Sequence, residues 1–288
     1  MLAASATGIF LISCAFVVYG DPSLELALAE IRWALPLGML IQTIASVGVL
    51  WVTVVKFGKR RMIELEGRGA AGGLLYGLGA GILFIGIVVA GLIASGHATL
   101  QAGRLNYKVL YAAVFAAGSA TAEEVAMRGI LLRLLVGRFG VWPGLLVSSC
   151  FFGLMHATNP NATLIGIVAV ASQAGLIFGI VYLTTGRLWA PIGMHAGWNF
   201  AQVGLFGLNT SGVYLGEGMF KVNLAGPDWI TGGQAGVEGS VFAAALGLIA
   251  IVGMWLHHRD AILQLWRSPA ARSNEAFLST AVQQPQKM

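Results

Sequence analysis

Apolar residues in this chain neither alternate nor keep to one side of a helical wheel. They run on, stretch after stretch, for about the 20 residues that cross ~30 Å of hydrocarbon as a helix. Such runs occupy residues 2–19, 35–57, 72–95, 108–135, 141–158, 162–184, 188–208 and 238–257. Most polar and charged residues fall between them. In lipid the main chain must satisfy its own hydrogen bonds, so each run predicts an α-helix. The expected fold class is all-α, a polytopic membrane protein of about eight transmembrane helices. The first run has no basic leader, and Tyr19-Gly20-Asp21-Pro22 is a poor small-residue cleavage site, so the run is read as a retained span.

Composition agrees and removes whole classes of function. Hydrophobic residues make up 57% of the 288, and charged residues only 10%. A soluble domain carries about 25% charged residues, so this chain lacks the polar surface to stay in water. Soluble enzymes, nucleic-acid binders and disordered chains are excluded. The net charge of +5 therefore reflects where the charges sit rather than a nucleic-acid partner. With alternating sides, 12 Lys and Arg fall on one face and 4 (Arg32, Arg104, Lys108 and Lys221) on the other. The richer face is cytoplasmic by the positive-inside rule, and it carries both termini.

Four regions follow: helices in 1–106, a core of helices in 107–208, a Gly-rich non-cytoplasmic loop at 209–237, and a last helix with a cytoplasmic tail in 238–288. Cys14 and Cys150 both lie inside apolar runs, which leaves no disulfide framework. Gly77-x-x-x-Gly81 and Gly175-x-x-x-Gly179 suit close helix packing, although among 40 glycines such spacings also arise by chance.

Ionisable residues within a span cost about 2.5–3.5 kcal/mol each on insertion scales and mark function by default. Here they gather in three runs. The fourth holds Glu123, Glu124 and Arg128, the fifth ends in Phe152-Gly153-Leu154-Met155-His156, and the seventh holds His195 and Asn199. Glu124 and Arg128 are four residues apart and share a helix face, as an ion pair would. Glu123 is rotated by ~100° and faces another helix as an unpaired carboxyl. His195 and Asn199 share a face, and Phe152 lies above His156. A carboxyl, two imidazoles and an amide form a hydrolytic set. Glu123 can take a proton from water, a histidine can orient that water or protonate the leaving amine, and Asn199 can donate to a developing oxyanion. The depths of the histidines conflict, however. At 1.5 Å per residue, His156 lies ~22 Å from the cytoplasmic end of its run and His195 ~10 Å from its own. Either the fifth run begins deeper or it is tilted.

Glu-Glu-x-x-x-Arg, Phe-x-x-x-His and His-x-x-x-Asn, in that order on membrane helices, resemble the CPBP intramembrane protease family. That family includes the type II CAAX prenyl endopeptidases and bacteriocin-processing proteins. The resemblance spans 107–208 and implies a protease with Glu123, Glu124, Arg128, His156, His195 and Asn199 as its site. It further implies Glu123 as the activator of water, Asn199 in the oxyanion hole, a cytoplasmic opening and a membrane-embedded or lipidated peptide substrate. No cofactor is favoured. Zinc is the alternative, held by His156, His195 and Glu123 with an open fourth position. The expected location is a bacterial cytoplasmic (inner) membrane. Two rivals come from other classes: a proton-coupled transporter using the charges as a relay, and a non-catalytic membrane scaffold.

Overall fold

The computed structural model describes residues 34–267, so the predicted first span and the polar tail lie outside the described residues. Among those described, six helices are long and apolar enough to cross a membrane. The protein is a polytopic, all-α membrane protein. Helix α1 (Ala34–Trp51) continues through a π-helical segment, Val52–Phe57, and α2 is Ala70–Ala94. Helix α3 (Tyr107–Glu124) passes through a second π segment, Val125–Leu132, into α4 (Arg133–Phe139). Helix α5 is Val141–Met155, ended by a 3-10 turn, His156–Thr158. Helix α6 (Leu164–Val170) passes through the π segment Ala171–Gly175 into α7 (Leu176–Thr185). Helix α8 (Trp189–Phe200) also ends in a π segment, Ala201–Leu205. After the short α9 (Asp228–Thr231) comes α10 (Val241–Arg267).

Two predicted spans, 35–57 and 141–158, coincide with the observed ones. The second of these is bounded by chemistry legible in the chain. Gly140 adopts φ 88°, a turn that suits a residue without Cβ, and Asn159-Pro160 stops the helix just past His156. The last helix starts at Val241 rather than Glu238. Glu238 lies instead in a buried 3-10 turn, Val237–Gly239. The region read as a loop also holds a strand. β1 (Ala98–Ala102) pairs antiparallel with β2 (Phe220–Leu224), with Leu100 opposite Val222.

The predicted seventh span is present as α8 and its π extension, but it is shorter than the rest, roughly 25 Å from Trp189 to Leu205. Every residue from Ala190 to Asn199 is buried, so protein rather than lipid surrounds this helix. Helices α2, α3 and α7 pack against it. On α2, Gly77 and Gly81 sit so close that an added Cβ would collide with the carbonyls of Ala190 and Met194. From the other side Gly197 meets the carbonyl of Leu78. The Gly77-x-x-x-Gly81 spacing is thus a true packing seam, with Gly193-x-x-x-Gly197 as its counterpart on α8. Small residues that let main chains touch supply dispersion contacts where lipid gives no hydrophobic drive between helices.

Below α8, the segment between α1 and α2 crosses the ends of several helices. Glu64, fully buried, accepts from Arg60 and from Arg133 at 2.5 Å each, and its carbonyl accepts from Leu188 N. Glu66 pairs with Arg187 at 3.1 Å. This belt fixes the level at which α4 and α8 meet the arginine-bearing end. Two apolar clusters fill the interior. One centres on Phe84, Phe152, Phe178 and Trp198, the other on Leu132, Leu145, Tyr182 and Leu188. The intramembrane charges lie between them.

Candidate active site

Helix geometry alone brings the three motifs to one place. Glu124 and Arg128 pair across one turn at 2.7 Å, both essentially without exposure. Glu124 Oε1 also accepts from His195 Nδ1 at 3.0 Å. The Arg128 guanidinium lies over the Phe152 ring, 4.4 Å from its centroid, and near Phe178 at 5.4 Å. Its second terminal nitrogen donates to the carbonyls of Ala174 and Gly175 at 3.0 and 3.3 Å. Both carbonyls belong to the π segment at 171–175. A turn that shifts main-chain bonding from i+4 to i+5 frees a carbonyl at its junction, and here the freed group meets the buried cation. Burial of the ion is thereby matched by hydrogen bonds and by aromatic faces.

Glu123 points the other way, as its rotation along the helix predicts. Its Oε2 is buried without a hydrogen-bond partner, 3.7 Å from His156 Nε2 and 3.9 Å from His195 Nε2. The partners of the opposite ring nitrogens assign the tautomers. His156 Nδ1 lies 2.8 Å from the Phe152 carbonyl, and His195 Nδ1 faces the Glu124 carboxylate. Both partners only accept, so each Nδ1 carries hydrogen and each Nε2 is turned toward Glu123. A carboxylate oxygen and two ring nitrogens therefore converge. They are spaced too widely to bond one another and suit a donor such as water between them.

Phe152 and Phe178 set the ring planes. Phe152 meets His156 and His195 edge-on at 4.9 and 5.9 Å, and Phe178 stacks on His195 at 5.1 Å. Asn199 lies one turn beyond His195. Its Nδ2 donates to Ser119 Oγ at 3.3 Å, and its Oδ1 accepts from Thr210 Oγ1 at 3.1 Å. All six predicted site residues thus lie on facing helices. Glu123, Glu124, Arg128, His156 and His195 form one cluster, with Asn199 in the adjoining layer.

The two histidines converge on Glu123 despite the conflict of depth read from their runs. Arg133 and Leu188 are held at one level by Glu64. From there α4 runs on for roughly 10 Å to Gly140 before α5 returns. The α4–α5 hairpin projects past the start of α8, so His156 has farther to travel along its own helix to reach the same height.

A gap of about 10 Å3, room for about one water, reaches His156 between Thr163, Gly166, Ile167 and Ser211. It lies at the end of the bundle that carries the 209–237 region. Toward the arginine-bearing end, Arg128 and the fully buried Leu132, Leu145, Leu183 and Leu188 close the interior.

The zinc alternative requires Glu123, His156 and His195 to act as a set. Among the described residues, no group of three or more His, Cys, Asp or Glu side chains is arranged to hold a metal ion. Several polar residues around the site escaped sequence reading. Ser119 and Gln202 fall on the helix faces of Glu123 and Asn199, at i−4 and i+3, and periodicity could have found them. Thr210, Ser211 and Glu238 carry no such signal, because they arrive from a loop.

No curated protein and no solved structure matches the chain. A family model does match, over residues 105–201, described as type II CAAX prenyl endopeptidase Rce1-like. That segment contains all three motifs. The resemblance read from those motifs is supported: the helices that build this site are similar to the Rce1-like type II CAAX prenyl endopeptidases over residues 105–201.

Proposed function

We propose that this protein is an intramembrane endopeptidase that hydrolyses a peptide bond of a membrane-embedded or lipidated peptide by a water activated at Glu123. One observation carries the reading: the unpartnered Glu123 Oε2 faces the Nε2 atoms of His156 and His195. A water held there donates one hydrogen to Glu123 and the other to an imidazole. Glu123 takes a proton as the water oxygen attacks the scissile carbonyl carbon. The carbonyl oxygen becomes an oxyanion and accepts from Asn199 Nδ2, whose second hydrogen is not used by Ser119. Collapse breaks the C–N bond, and the leaving nitrogen takes the proton from Glu123 or from a neighbouring imidazolium. Glu124 and Arg128 are positioning residues in this scheme. They hold His195 in the orientation that aims its Nε2 at the water.

The reading is metal-free, because Asn199 then has a role and the free carboxylate of Glu123 can be the base. One equivalent of bound metal in purified protein, lost in His156→Ala, would overturn that part. The principal test compares new peptide termini in membranes of cells expressing wild type or Glu123→Ala at matched levels. Termini present only with wild type establish proteolysis and identify the substrate. Identical profiles with both proteins folded remove the proposal.

A further inference from the structure

Glu238 is a buried carboxylate with no cation beside it. It is 2% exposed and lies outside the segment that matches the protease family. Its Oε2 accepts from Trp198 Nε1 and Gln202 Nε2, both at 2.8 Å. Its Oε1 accepts from the main-chain N and the hydroxyl of Ser211, both at 2.7 Å. Trp198 and Gln202 are one turn apart on α8 and its extension, and they flank Asn199. The carboxylate thus clamps the chain around Thr210 and Ser211 onto the helix that presents the candidate oxyanion donor.

The direction of each hydrogen bond follows from that anchor. An ionised carboxylate only accepts, so the Gln202 atom facing it must be Nε2. The second hydrogen of that nitrogen goes to Thr210 Oγ1 at 2.8 Å. Having accepted there, Thr210 has a single hydroxyl hydrogen, and it points to Asn199 Oδ1 at 3.1 Å. If Asn199 turned its amide over, Thr210 would have to accept twice and its hydroxyl hydrogen would lose the Asn199 acceptor. Its Nδ2 is held on the opposite side, toward Ser119 and the Glu123 layer.

We infer that Glu238, Gln202 and Thr210 form a hydrogen-bond polarity relay that fixes which face of the Asn199 amide is presented to the substrate. These are positioning residues, and the inference rests on the protease reading above. It adds a requirement for the 209–237 region, which reaches the reaction through Thr210 without touching the reacting atoms. If Glu238 is neutralised, Gln202 is free to turn its oxygen to Thr210 and take the hydroxyl hydrogen away from Asn199.

The test uses the full-length protein purified in detergent and a peptide spanning the Glu123-dependent junction. Thr210→Val keeps shape and removes the donor, and Thr210→Ser keeps the donor. Expected results are a ten- to hundredfold fall in kcat at unchanged KM for Thr210→Val, part of the ~10²–10³ that an oxyanion donor supplies. Thr210→Ser should restore kcat. Asn199→Ala and Asn199→Ala/Thr210→Val should be equally slow, because the hydroxyl acts only through the amide. A purely structural threonine would instead lower thermal stability and add its effect to that of Asn199→Ala. Should Thr210→Val fail to fold, Thr210→Ala takes its place in the same cycle. Wild-type kcat in the folded variant, or additive losses in the double variant, overturns the relay while Glu123→Ala remains inactive. Absence of any Glu123-dependent cleavage overturns the protease reading and the relay together.

Discussion

Two buried carboxylates beside the same helix, Glu123 and Glu238, are treated in opposite ways. Glu238 accepts four hydrogen bonds from neutral donors, and nothing about it is left over. Glu123 keeps an oxygen without a partner and faces the Nε2 atoms of two histidines. Glu124 lies between them in kind: its Oε1 pairs with Arg128 and His195, and its Oε2 is left without a hydrogen-bond partner. Burying a charge without partners is costly, so a fold retains such a group only where it serves something other than stability. The contrast separates the carboxylates that hold the bundle together from the one that is available for chemistry.

The sharpest way to break that comparison is Glu123→Gln. Cleavage should fall by at least about a thousandfold, the loss of both base and charge. The thermal unfolding midpoint should hold or rise, because an unmatched buried charge is gone. Glu238→Gln should behave in reverse, with a lower midpoint, since each hydrogen bond to a charged group is worth about 1.5–3 kcal/mol. A Glu123→Gln protein that unfolds earlier than wild type would mean its carboxylate is a structural joint.

Next in size is Arg128→Leu. It leaves Glu124 buried and unpaired, which costs about 3–5 kcal/mol. The midpoint should fall accordingly, and the double variant Glu124→Leu/Arg128→Leu should recover much of it by removing the pair together. The same double variant should stay inactive, because His195 loses the acceptor that sets its tautomer. Recovery of activity with recovery of stability would deny the pair its positioning role.

How far the chain announces this arrangement depends on what each feature rests on. Span limits at 35–57 and 141–158 were readable because charge, glycine and proline punctuate the apolar runs. The facing of Glu123, Glu124 and Arg128 follows from helical spacing alone. The burial of α8 was not readable, since hydropathy does not distinguish a helix sheathed in protein from one sheathed in lipid. Nor were the π segments, which are changes of main-chain register with no side-chain signature. Glu238 read as the first residue of the last span because its donors Trp198 and Gln202 stand 40 and 36 residues away in sequence. Strands β1 and β2 hide for the same reason, each being a short segment completed by a distant partner.

The seam between α2 and α8 gives a smaller, graded effect. Gly197→Leu places a side chain against the Leu78 carbonyl, and overpacking of this kind costs about 1–3 kcal/mol. Because Gly197 lies between His195 and Asn199, pushing α8 off α2 displaces both at once. A displacement of ~1 Å is enough for roughly a hundredfold loss of rate. Gly79, whose added Cβ meets nothing within 4 Å, is the control: Gly79→Leu should leave both rate and midpoint unchanged.

The smallest expected change tests which end of the bundle admits the substrate. Ala162 lines the recess at His156 and is only half-buried, so Ala162→Trp fills that space without entering the core. The midpoint should stay put while kcat/KM drops by roughly tenfold, mostly through KM, as expected when access and ground-state binding are obstructed rather than chemistry. Exposed Phe139, at the projecting tip of the α4–α5 hairpin, provides the opposite end for comparison. Phe139→Ala should leave cleavage as it is. A loss in Phe139→Ala with none in Ala162→Trp would move the entrance to the arginine-bearing end. The closed layer of Leu132, Leu145, Leu183 and Leu188 would then have to open during turnover, and the recess at His156 would be a packing gap beside a site reached from below.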